Sequence, residues 1–113
     1  MLILLAAQLA SVPAAVPAEP TGQDKLMASE VIVYSEWRHC VLKTAHHESR
    51  SIKDHAAVAD LAIKDCETKQ ADYQSSLLTL AQYYKLGDPA DFARRNGEQV
   101  RDRLRALALN ELK

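Results

Sequence analysis

The sequence predicts an all-α fold, an up-down-up bundle of three helices with one disulfide between the first two. Three observations lead there. From Asp24 onward the apolar residues recur at three- and four-residue steps, with no alternating stretches between turn signals. Beyond Asp24 only Gly87, Pro89 and Gly97 punctuate that pattern. The chain also has just 2 cysteines, Cys40 and Cys66, placed to face each other across a helical hairpin.

The N-terminal stretch reads as a targeting segment. Met1 to Ala10 is almost entirely apolar, and the small residues at Val12-Pro13-Ala14 and Val16-Pro17-Ala18 fit a signal-peptidase site. Residues 1–18 are therefore expected to be a signal peptide, cut after Ala14 or Ala18. The run falls short of the ~20 residues that span a bilayer, so no stable membrane insertion is expected after cleavage. Residues 19–23, with Pro20 and Gly22, read as a flexible tail before a helical domain over 24–113. The expected location is periplasmic or secreted, an oxidising setting in which two cysteines have a single intramolecular pairing available.

The first helix is expected over 24–47, with Met27, Val31, Tyr34, Trp37, Val41 and Ala45 on one face. His46 to Ser51 is polar and ends it. Ser51 with Asp54 three residues on resembles a capping box for the second helix, expected over 52–86. Its stripe runs through Ile52, Ala56, Ala59, Ile63, Cys66, Gln70, Tyr73, Leu77, Ala81 and Tyr84. Leu78, Leu80, Tyr83 and Leu86 widen the apolar arc beyond Tyr73, and Gly87 fits a C′ position with positive φ. Asp88-Pro89 opens the third helix, expected over 89–112, with Asp as N-cap and Pro at the first helical position. Its inner side is Ala93, Val100, Leu104, Leu107 and Leu112, with Phe92 near the start and Gly97 as a weak point. If Cys40 and Cys66 face each other in a level hairpin, its centre is residue 53, which matches the polar turn.

No catalytic constellation is evident, so no enzyme activity, catalytic residue or cofactor is expected. The 4 histidines gather at His39, His46, His47 and His55, and a metal-binding reading through His46, His47 and His55 competes with that of a polar loop. None of the usual ligand spacings is present, and His47-Glu48-x-x-Ser51 lacks the second histidine of a zincin motif, so no metal is expected. No C-x-x-C or C-x-x-C-H exists, which excludes a thioredoxin-like centre and covalent haem. The formal net charge is −1, from 14 basic and 15 acidic residues. The arginines of the third helix (Arg94, Arg95, Arg101, Arg103, Arg105) are interleaved with Asp91, Glu98, Asp102 and Glu111, so no nucleic-acid partner is expected.

Around the cysteines, an aromatic before the first (Trp37 to Cys40), a polar turn and an alanine-rich run into the second (Ala56 to Cys66) resemble small exported bacterial two-cysteine helical proteins of unknown function. That resemblance implies a similar fold and transfers no functional residues. Acid-stress periplasmic chaperones of the HdeA type are similar in size and single disulfide, but their cysteines are spaced more widely. Lysozyme-inhibitor domains of the LprI type carry more cysteines and an Asn-rich signature that is missing here.

The expected function is that of an exported, non-enzymatic factor binding a protein or peptide in the cell envelope, with a homodimer among the possible assemblies. An acid- or stress-responsive chaperone is the alternative, since histidine charges near pH 6. The expected interaction patch is Leu78, Tyr83 and Leu86, uncovered if the third helix swings about Gly87-Asp88-Pro89.

Overall fold

Residues 22–113 are described by a computed structural model; the signal-peptide reading of residues 1–18 lies outside the described residues, as does most of the tail. The described chain is all-helical, with α1 (Gly22–Glu48), α2 (His55–Asp65), α3 (Glu67–Tyr83) and α4 (Pro89–Glu111). Gly22 and Gln23, expected in the tail, already belong to α1.

Four helices replace the expected three. The segment read as one helix over 52–86 starts three residues later and breaks at Cys66. The start moves because Asp54, not Ser51, is the N-cap: its carboxylate accepts from the Ala56 and Ala57 amides at 3.0 and 3.3 Å. At the break, Cys66 leaves helical dihedrals (φ −103°, ψ 18°), and the amides of Lys69 and Gln70 both turn to its carbonyl. The hydrogen-bond ladder therefore restarts at the residue whose side chain is tied to α1. Cys66 is joined to Cys40 with a Cα–Cα distance of 6.0 Å, and it is completely buried.

The course of the chain is nevertheless up, down and up. The Trp37 and Tyr73 rings meet at 5.5 Å and the Tyr34 and Tyr73 rings at 6.1 Å, on the far side of the disulfide from the first turn. Further along, Gly22 lies beside the Tyr83 ring, so α1 and α3 run antiparallel along their whole shared length. Between α4 and α3, the Gln74 amide reaches the Arg94 carbonyl, and a Cβ at Gly97 would run into the Gln74 side chain. Gly97 is buried and admits this close approach, where composition alone suggested only a weak point.

The core is built on Trp37, Val41, Val58, Leu77, Leu104 and Tyr73, with alanines at 45, 59, 62, 81, 93 and 108. The expected stripes hold in their central parts and fail at their ends. Ala56 is exposed in the first turn of α2, and Tyr84 is exposed beyond α3. Met27 and Val31 are 49% and 60% exposed, so the N-terminal end of the expected α1 stripe lies outside the core.

Gly87 does not close the third helix with positive φ. Lys85 does (φ 54°), and the Lys85 amide bonds to the Gln82 carbonyl while that of Leu86 bonds to the Ala81 carbonyl. This is the Schellman arrangement with lysine at C′, where a Cβ is unfavourable. Lys85→Gly is expected to raise stability by about 0.5–1 kcal/mol, read from the urea midpoint; an unchanged or lower midpoint would contradict a strained C′. Asp88 caps α4 as expected, its carboxylate accepting from the Asp91 amide at 3.0 Å.

Candidate interaction surface

The residues of the expected patch, Leu78, Tyr83 and Leu86, differ in surroundings and exposure. Leu78 is half-buried and faces α4 across a shallow depression lined also by Ala71, Gln74, Ala90 and Ala93. Tyr83 projects from another side of α3, beside Gly22, and packs edge-on against Tyr84 with ring centroids 5.3 Å apart. Leu86 lies past the helix end. Tyr83 and Leu86 are already 51% and 40% exposed with α4 in place, so no swing of α4 is needed to present them.

Six large apolar side chains are exposed among the described residues: Met27, Val31, Ile32, Tyr83, Tyr84 and Leu86. All lie on one side of the disulfide, toward the end where Gly22 meets Tyr83. Sequence periodicity placed Met27 and Val31 in the core, because their steps continue the Tyr34–Val41 stripe. The overlooked signal is the run Val31-Ile32-Val33: three consecutive apolar residues on a helix cannot share one face.

Around the disulfide, Cys40 lines a second depression with Lys43, Thr44, His47, Glu48 and Asp65, and the Thr44 hydroxyl lies 3.8 Å from Cys66 Sγ. The histidines do not converge. His46 meets Glu111 at 3.0 Å across the bundle, and His47 lies beside the disulfide. Among the described residues no three His, Cys, Asp or Glu side chains are placed to hold a metal ion. No helix among them is long and apolar enough to cross a membrane.

Four of the five α4 arginines are engaged with carboxylates. Arg94 bridges Asp91 and Glu98, Arg95 reaches Asp91, Arg101 pairs with Asp102, and Arg105 crosses to Asp60 on α2 at 2.6 Å. The Arg105 hydrogen bond holds the Asp60 carboxyl below its usual range, and Arg94 does the same for Asp91. Depressed carboxyls contribute stability above the ordinary carboxylate range that is lost as pH falls through their folded values. Both lie at the surface, and no charged side chain is buried among the described residues.

Tyr73 behaves in the opposite sense. Burial, then its hydrogen bond to Glu30, pushes the phenol up to about 12. A raised phenol contributes stability that is intact below the unfolded value of 10.0 and is lost as pH climbs toward 12. Absorbance titration should show one late-ionising tyrosine coupled to alkaline unfolding, and Tyr73→Phe should abolish both features. A late phase that survives in Tyr73→Phe would assign it elsewhere.

No protein-family model, curated protein or solved structure matches the chain.

Proposed function

We propose that this chain is an exported, non-enzymatic factor of the cell envelope that acts by binding another polypeptide. The observation carrying this reading is the segregation of all six exposed large apolar side chains to one side of the disulfide. Scattered surface apolar residues are ordinary, whereas a concentration on one half of a small bundle marks a contact surface. Export rests on the Cys40–Cys66 bridge, which persists in oxidising compartments, together with the apolar, small-residue N-terminus.

Site-specific photo-crosslinking tests the reading in cells. A photoreactive phenylalanine at Ile32, Tyr83 or Leu86 should give discrete protein adducts. The same probe at Lys64 or Arg95, exposed positions outside this surface, should give none. Equal adducts at all five positions, or none at any, would overturn the reading.

A further inference from the structure

We propose that the outer face of α1 is a self-association surface, on which two copies of this chain pair antiparallel about a two-fold axis at Val31. The inference rests on the polypeptide-binding reading above and commits it to a second copy. Asp24, Ala28, Val31, Ser35 and Arg38 follow one another at steps of four, three, four and three residues, the spacing of a helix-pairing seam. All five are exposed, as are the flanking Met27 and Ile32. By helical phase this face points away from the side of α1 that carries Gly22 and Cys40 toward α3.

Charge decides the partner and its direction. Seven residues separate Val31 from Asp24 on one side and from Arg38 on the other. An antiparallel pair centred on Val31 therefore sets Asp24 of each copy opposite Arg38 of the other. A parallel pair would set like on like, which costs affinity. Asp24 also interacts within its own chain, and the pairing adds to that contact rather than replacing it. Ala28 and Ser35 are small enough to let the two backbones approach, and Val31 packs on its own symmetry mate. The arrangement is isologous and closes at two copies. Asp24 to Arg38 spans only about 21 Å of helix at ~1.5 Å per residue, so the interface belongs with small, reversible ones.

Sedimentation equilibrium of the full chain from low to high micromolar concentration tests this, with helicity as a folding control. The wild type should show a reversible monomer–dimer equilibrium. Val31→Glu, Asp24→Arg and Arg38→Asp should each weaken it at least tenfold without changing helicity. The double variant Asp24→Arg/Arg38→Asp should recover near-wild-type association, because exchanging both charges restores each opposite pair. A wild type that stays monomeric overturns the proposal, as does a dimer indifferent to Val31→Glu and to both single reversals. If the chain is monomeric while Ile32 still crosslinks to a different protein, the self-association fails and the binding reading stands.

Discussion

Serine in place of Cys40 or Cys66 is expected to lower stability by about 3.5 kcal/mol while leaving most of the helix content intact. The chain-entropy cost of releasing a loop with a sequence separation of 26 gives that figure. It is a large share of the roughly 5–15 kcal/mol that holds a small domain together. The two substitutions should differ. Cys66 is completely buried at the junction of α2 and α3, so a serine hydroxyl there meets the core, whereas Cys40 is half-buried beside a depression. Cys66→Ser should therefore be the more damaging, and reduction of the wild type should reproduce the milder loss seen with Cys40→Ser. Urea midpoints with and without reductant measure all three; a midpoint insensitive to reductant would deny the bridge any role in stability.

Trp37→Ala is the second large effect, with an expected loss of about 3–5 kcal/mol. Trp37 is the largest fully buried side chain, and its ring meets Tyr73 at the centre of the α1–α3 contact. Its indole Nε1 is buried with no hydrogen-bond partner. Leaving a donor unpaired costs ~1–3 kcal/mol, so Trp37→Phe removes a penalty along with some volume. The phenylalanine variant should lie much nearer the wild type than the alanine variant in thermal and urea unfolding. If the two variants were equally unstable, the indole N–H would have to be paired in solution.

What could be read from the sequence follows from where the forces are local. The Asp88-Pro89 start of α4, the end of α1 near Glu48 and the facing of Cys40 with Cys66 depend on cap chemistry and helical spacing, and these are written in neighbouring residues. The break at Cys66 is not. No Gly or Pro marks the break, which coincides with the residue fastened to another helix. The positive φ at Lys85 was hidden for a similar reason: Gly87 offered the better local candidate, and α3 ends at Tyr83, before reaching it. The surface was legible as apolar residues and illegible as a shape. Periodicity tells which side of a helix is apolar, but it cannot tell whether a neighbour extends far enough to cover Met27 and Val31. It also merged Leu78 with Tyr83, which α3 turns in different directions.

The alanines at 45, 59, 62, 81, 93 and 108 carry a consequence for what this protein can accommodate. Where such small side chains meet, backbones come close and the space between helices fills with main-chain atoms, so little interior room remains to be cleared by rotating a side chain. A lipocalin-like or four-helix-bundle carrier keeps its cargo inside; a bundle laced with methyl groups is closed to cargo. Under the binding reading proposed above, a partner is met on the outside, and natural variation should be freest on the outer turns and most restricted at these six inconspicuous residues.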